Sequence, residues 1–436
     1  MTNASARIGL AAAALLTAAA AIPAASAQDG LFLPTLVYRT GPYAPGGIPI
    51  ANAFKDYFTL LNERDGGIEG VKILIEECET QYDTKIGVEC YERLKSRNPL
   101  LINPLSTGIA YALIPKAAID KIPIVTPGYG RTDAAVGTVF PWVFNAPTTY
   151  WSQATGQIKY IASKEGGMEK LKGKKIAYVY HNSPYGKEMI PTLETLGKKY
   201  GYELELAAVD HPGQEQKATW LKIRQYRPDW VLFTGWGVMN QVGIKEAAAI
   251  GFKMDHMIGN WWSGTETDVL PAGDGAKGYI AATFTAPGRN FKVYEDLKKF
   301  VYDKGKGATT WDKVGEVFYS RGLHFALMGT EAVRSAVKKH GKKVTGTEVR
   351  EALETLDITE ARIAALGFAG MMRPMKISCA DHEGNGPVAF QQWDGKQWKI
   401  VSDWIEPMRD VVRPMMEASA TKYAAENKIE PRKDCK

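Results

Sequence analysis

The sequence predicts an α/β fold made of two doubly wound α/β lobes. Three observations lead there. At 436 residues the chain exceeds what one hydrophobic core usually serves. Apolar runs of strand length alternate with stretches whose apolar residues recur at helical spacing. That alternation runs as far as Asn145 and then starts again, without any tandem repeat of sequence.

Thr35 to Arg39 reads as an opening strand, followed by the turn-rich Gly41-Pro42-Tyr43-Ala44-Pro45-Gly46-Gly47. Ile50, Ala53, Phe54, Tyr57, Phe58 and Leu61 then share one helix face, and Gly66 and Gly67 stop that helix. Val71, Ile73 and Ile75 alternate as a second strand, and Lys85 to Lys95 reads as a helix. Leu100 to Asn103 is the third strand, Ile109 to Asp120 a helix, and Ile122 to Val125 the fourth strand. Two of these strands end in small polar turns, at Asn103 and at Thr126-Pro127-Gly128-Tyr129-Gly130. In an open parallel sheet such ends share the edge where ligands bind.

The second unit opens with a helix from Ser152 to Lys164 and a strand from Lys175 to Tyr180, then the loop His181 to Tyr185 and a helix from Gly186 to Tyr200. Strand Glu203–Val209, helix Gln216–Tyr226, strand Trp230–Thr234, helix Val238–Ile250 and strand Met257–Asn260 complete it. Gly278 to Phe284 reads as a strand leading back toward the first lobe, and Asn290 to Leu356 as mostly helical. Pro387–Gln392 and Trp398–Ser402, joined through Asp394-Gly395, predict a β-hairpin. From Met408 onward a helix is expected, tethered through Cys435.

Residues 1–27 are read as a secretory signal peptide: Arg7 precedes an apolar run from Ile8 to Ile22, and Ala25-Ser26-Ala27 supplies a small-residue cleavage site. A soluble exported protein, cut after Ala27, is expected. The formal charge of +6 is spread without a basic block, so nucleic-acid binding is not indicated. Four cysteines, at 78, 90, 379 and 435, suit an oxidising compartment and two disulfides. Cys78 with Cys90 closes a short loop, and Cys379 with Cys435 then pins the tail. A metal site is the competing reading, but CxxC spacing and a histidine pair are both missing. His382, between Asp381 and Glu383, reads as an exposed turn, and no cofactor is expected.

The stretch Leu100 to Gly108 bears most directly on function. A strand feeds a helix through Asn103-Pro104, leaving unpaired helical N–H groups beside the hydroxyls of Ser106 and Thr107. Such a turn holds an anion, or else a hydroxyl merely caps the helix. Catalytic signatures do not appear: there is no G-x-S-x-G, H-E-x-x-H or G-x-x-x-x-G-K-[ST]. Gly128-Tyr129-Gly130 fails the dinucleotide pattern, because Asp133 stands where the third glycine is needed. An exported enzyme is therefore the least favoured class.

The runs T-G-P-Y-A-P-G-G and N-E-R-D-G-G-I-E-G-V-K-I-L-I-E, then P-L-S-T-G, I-P-I-V-T-P-G-Y-G, H-N-S-P-Y-G-K-E and V-L-F-T-G-W-G, follow one another in order. Together they resemble type I periplasmic solute-binding proteins, more narrowly the substrate-binding subunits of branched-chain amino acid ABC importers. The resemblance implies two lobes joined by a three-crossover hinge: 28–148 with 283–376, and 149–282 with 377–410, followed by a tail, 411–436. It implies a periplasmic monomer that closes over a small solute and passes it to an ABC permease in the inner membrane. By position, Thr107 matches a hydroxyl that receives the ligand carboxylate, with Ser106 beside it. Gly128 and Gly130 match main-chain contacts, Tyr185 matches a closing aromatic, and Trp236 stands at a tyrosine position.

One departure alters the expected ligand. Amino acid binders of this family carry an acid after the strand matching His256 to Asn260, where this chain has Asn260-Trp261-Trp262, and further acids at the crossover are replaced by Tyr150 and Trp151. A buried ammonium without a counter-charge is costly. Tyr43, Tyr129, Tyr150, Trp151, Tyr185, Trp236, Trp261 and Trp262 fall on loops after strands or at a crossover, with one of each adjacent pair expected to face inward. The expected site is Tyr43, Ser106, Thr107, Gly128, Tyr129, Gly130, Tyr150, Trp151, Tyr185, Trp236 and Trp261. The expected ligand is a small carboxylate with an aromatic or bulky apolar body. Amino acids or small amides, and a sensory role beside a membrane receptor, are the alternatives. Arg131 reads as a carboxylate partner or a solvated loop arginine.

Overall fold

The computed structural model describes Met1, residues 30–384 and residues 386–435. The expected leader, apart from Met1, and its cleavage point lie outside these residues. Five short parallel segments lie side by side in the first lobe, in the order Glu77–Glu79, Thr35–Val37, Ile102 and Asn103, Ile124–Val125 and Val143–Phe144. Leu31–Phe32 pairs in parallel with Ile73–Leu74. The expected strands here are fragmentary, and Leu100 to Asn103 contributes only isolated bridges. Pro34, Pro104 and Pro123 explain this, since proline offers no N–H to the ladder.

The second lobe has a continuous seven-stranded sheet. Its order is Trp398–Ile400, Ala389–Trp393, Ile280–Thr283, Met257–Gly259, Trp230–Thr234, Lys175–His181 and Glu203–Val209. The central strands are buried along most of their length, as a parallel sheet covered on both faces requires. The expected hairpin forms, with Trp393 opposite Trp398, and joins the sheet antiparallel to Ile280–Thr283. The strand expected to lead back to the first lobe is thus the last parallel strand of the second sheet.

Three crossovers connect the lobes. The chain leaves the first sheet after Val143–Phe144 and the second after Ile280–Thr283. It crosses again between His382, whose N–H bonds the Ala135 carbonyl, and Ala389. Between the last two crossings, helix Val317–His340 packs on helix Ala44–Arg64 in the first lobe. Gly322 permits their close approach: a Cβ there would lie 2.6 Å from Ala53 Cβ and 2.7 Å from the Ile50 carbonyl.

Both disulfides form as paired above, with Cα–Cα distances of 5.8 Å for Cys78–Cys90 and 5.2 Å for Cys379–Cys435. The tail is helix Arg409–Asn427. His382 corrects the sequence reading. It is fully buried, stacks on Phe144 at 4.1 Å and bonds the Val143 carbonyl, so the apolar crossover and not solvent surrounds it. Among the described residues no helix is long and apolar enough to cross a membrane, and no acidic, histidine or cysteine cluster could hold a metal.

Candidate functional site

The facing strand ends of the two sheets enclose a narrow cavity of about 20 Å³. Its wall from the first lobe is Tyr38, Ile50, Tyr82, Leu105, Ser106, Thr107 and Tyr129; Tyr150 stands at the crossover, and Tyr185, Trp236 and Trp262 come from the second lobe. No lining side chain carries a charge. A wider vestibule, about 350 Å³, opens beside it and shares Tyr82, Ser106 and Tyr185 with it.

The turn after the third strand is tightly specified. Leu105 takes a left-handed φ of 49°, and its N–H reaches the Tyr129 hydroxyl at 2.8 Å. Tyr129 in turn bonds the Asn103 side chain. Helix Thr107–Asp120 then begins with Ser106 as its N-cap, accepting the Ile109 N–H at 3.4 Å. The Thr107 hydroxyl accepts the Gly130 N–H at 3.2 Å. Both hydroxyls therefore use a lone pair inside the protein and keep an O–H to donate. The Tyr82 hydroxyl stands beside Ser106 and that of Tyr150 beside Thr107. Burial pushes Tyr38, Tyr129, Tyr150 and Tyr185 well above the ordinary phenol range, so these rings act as neutral O–H groups.

Trp236 crosses the cleft onto the start of helix Ala44–Arg64. A Cβ at Gly46 would lie 2.5 Å from its ring, so a side chain there would push the tryptophan away. Trp236 meets Trp262 edge-on at 5.6 Å and Tyr38 at 6.2 Å. Among the described residues its buried indole N–H makes no full hydrogen bond, and the Tyr38 hydroxyl is the acceptor it faces. Tyr185 is fixed by its O–H to the Gly235 carbonyl at 2.9 Å and by the Asn260 amide at 2.8 Å.

Of the residues expected from sequence, Ser106, Thr107, Tyr129, Tyr150, Tyr185 and Trp236 line the cavity. Tyr43 lies in the vestibule, where its hydroxyl shares a 2.8 Å hydrogen bond with His181. Gly130 sits behind Thr107, and the Gly128 carbonyl accepts indole N–H groups from Trp261 at 2.9 Å and Trp262 at 3.3 Å. Trp261 stacks behind Tyr150 at 5.8 Å while Trp262 faces the cavity, because the turn after Met257–Gly259 directs these neighbours differently. Trp151 points away, donating to the Glu188 carbonyl at 2.7 Å. Arg131 is paired with Asp133 and lies over the Tyr423 ring, outside the cavity.

Sequence reading missed Tyr38, Ile50, Tyr82 and Leu105 as lining residues, and of the pair 261/262 it put Trp261 in the expected site where Trp262 lines the cavity. Tyr38 and Tyr82 stand just beyond Thr35–Val37 and Glu77–Glu79, so the strand-end rule that found Thr126 to Gly130 would have found them too. It also missed Glu188, which interrupts the expected helix Gly186–Tyr200 between Pro184–Lys187 and Ile190–Tyr200. The Glu188 carboxyl bonds the Tyr111 hydroxyl and the Thr132 N–H, both in the first lobe, and burial pushes it up to about 7.

The profile of the family described as periplasmic binding protein matches residues 31–397. No curated protein sequence matches the chain. A crystal structure described as an ABC transporter permease from the Pseudomonas fluorescens group is 43% identical, with TM-score 0.87, covering 93% of this chain and 99% of that one. A branched-chain amino acid ABC transporter protein from Thermus thermophilus with bound valine is 21% identical, with TM-score 0.73, covering 88% and 99%. An ABC transporter solute-binding protein from R. palustris in complex with benzoate is 18% identical, with TM-score 0.67, covering 87% and 97%. The family is one of solute-binding proteins and not enzymes, exported to the periplasm, that hand solutes to a membrane permease. The chain belongs to the periplasmic binding protein family, as a substrate-binding protein of ABC transporters.

Proposed function

We propose that this protein binds a small carboxylate with an aromatic or bulky apolar body and delivers it to its permease by closing two lobes, 28–148 with 283–376 and 149–282 with 377–410. The observation that carries the reading is the composition of the cavity wall: seven aromatic side chains with Ile50 and Leu105, two hydroxyls that keep an O–H to donate, and no carboxylate. Aromatic walls suit a flat ring, adding about 0.5–1.5 kcal/mol per well-placed pair beyond area. Ser106 and Thr107 supply donors to the carboxylate, and the Trp236 N–H, which only the Tyr38 hydroxyl faces, is a third. An ammonium would find no counter-charge on the wall, which counts against an ordinary α-amino acid. A fold relative in complex with benzoate is consistent with this, but the wall carries the argument.

Closure follows from the geometry. A ligand touching Ser106 and Thr107 on one side and Tyr185, Trp236 and Trp262 on the other contacts both walls only when the cleft is shut, so it favours the shut form by that difference. Calorimetric titration with benzoate, 4-hydroxybenzoate, leucine and valine tests the reading. Binding of the aromatic acids is expected; binding of the amino acids alone overturns it.

A further inference from the structure

We infer that Arg321 supplies the positive charge that selects a carboxylate in the cavity, acting from behind the aromatic wall through Trp262. This rests on the function proposed above and names the residue that reads the ligand's charge. Arg321 lies on helix Val317–His340 and is fully buried. Its guanidinium packs 5.5 Å from the centre of the Trp262 ring, 5.2 Å from Phe284 and 5.4 Å from Phe318. Trp262 lines the cavity, so one ring separates the cation from the ligand space.

The charge is poorly compensated within the protein. Nη2 donates to the Thr283 hydroxyl at 3.3 Å, while among the described residues Nε and Nη1 have no hydrogen-bond acceptor and no carboxylate lies within ion-pair distance. The acids closest in electrostatic reach, Asp268 and Glu266, point their oxygens elsewhere: Asp268 to Asn240 and the Thr265 N–H, Glu266 to Val317 N–H and Thr265. Burial raises both, Asp268 to about 8, so at neutral pH Asp268 offsets the guanidinium weakly. His324, one turn along, is held neutral by burial, lowered to about 3. Burial lowers Arg321 to about 9, which leaves it charged at neutral pH. A buried cation without a partner is costly, and an anion arriving across one ring relieves that cost. The wall itself donates hydrogen bonds but no charge, so it cannot by itself strongly separate a carboxylate from the amide of the same shape.

The test is calorimetry of benzoate and benzamide on the full chain at pH 7.5, with Arg321→Met, Arg321→Gln and Arg321→Lys. The parent is expected to prefer benzoate. Arg321→Met and Arg321→Gln are expected to lower benzoate affinity by about tenfold and leave benzamide within about twofold, and Arg321→Lys to restore the preference. A merely structural residue would weaken both ligands alike. An unchanged benzoate to benzamide ratio in either neutral variant, or a parent that binds both equally, overturns the inference while the proposed function stands. Should Arg321→Met not fold, the ratio in Arg321→Gln and in the parent decides. A parent that binds no aromatic acid overturns both.

Discussion

The indole N–H of Trp261 donates to the Gly128 carbonyl at 2.9 Å, tying the strand-end turn of one sheet to that of the other. Trp262 donates to the same carbonyl at 3.3 Å, so one backbone oxygen holds two tryptophans of the opposite lobe. Gly128 has a left-handed φ of 71°, which glycine adopts without penalty. Trp261 thus lies behind Tyr150 and bonds across the cleft. Trp261→Phe removes one cross-cleft bond of about 1 kcal/mol and is expected to weaken every ligand by about fivefold, with their order unchanged. Calorimetry across several ligands checks this; a changed order would mean that Trp261 touches the ligand.

Trp236→Phe separates hydrogen bonding from packing. Among the described residues the indole N–H makes no full hydrogen bond and faces only the Tyr38 hydroxyl, so its loss leaves little unpaired behind. Melting temperature is expected to change little, while affinity for a carboxylate falls by about tenfold. Thr107→Val behaves differently, because it strands the Gly130 N–H and is expected to lose about 1–3 kcal/mol of stability together with affinity. Thermal unfolding and calorimetry on the two variants distinguish these outcomes.

Much of the fold is legible because apolar spacing reports helices and strands directly, as in Ile50 to Leu61 or Trp230 to Thr234. The first sheet was less so, since Pro34, Pro104 and Pro123 cut its ladders while the apolar runs continue. At the site, Ser106 and Thr107 were legible from chain order, as a strand, a turn and a helix start. Trp261 and Trp262 were not separable, because which neighbour on a turn faces inward is set by the partners each finds. Glu188 and Arg321 looked ordinary in sequence: burial against the opposite lobe, not residue type or spacing, gives them their interest.

Glu188 predicts a pH dependence of closure. In the shut form burial holds its carboxyl at about 7. Opened to water, it should return toward the ordinary glutamate value near 4.3. The shut form therefore binds the proton more tightly. Its advantage is full below about 4.3 and is lost as pH rises to about 7, above which the proton is off in both forms. Ligand affinity is expected to fall by up to about tenfold per unit between those limits. Glu188→Gln should flatten this slope. Calorimetry with the uncharged benzamide, whose own protonation does not intervene, checks the sign; affinity rising with pH in that window would exclude Glu188 as its source.

The two disulfides should differ in their bearing on ligand binding. Cys78–Cys90 closes the loop that carries Tyr82, a cavity wall residue, and runs into helix Thr84–Lys95, capped by Asp83. Gln81 and Tyr82 both hold left-handed φ values, 53° and 62°, which a freed loop would relax. Cys379–Cys435 ties the tail beside the third crossover, away from the cavity. Replacing Cys78 and Cys90 by alanine is expected to lose about 3 kcal/mol of stability in the chain-entropy model and to weaken ligand binding as well. Replacing Cys379 and Cys435 is expected to lower stability and leave affinity within about twofold, since the tail helix still packs on the first lobe through Arg131 and Tyr423. Thermal unfolding and calorimetry of the two double variants decide it: equal losses of affinity would show that the 78–90 loop has no special role at the site.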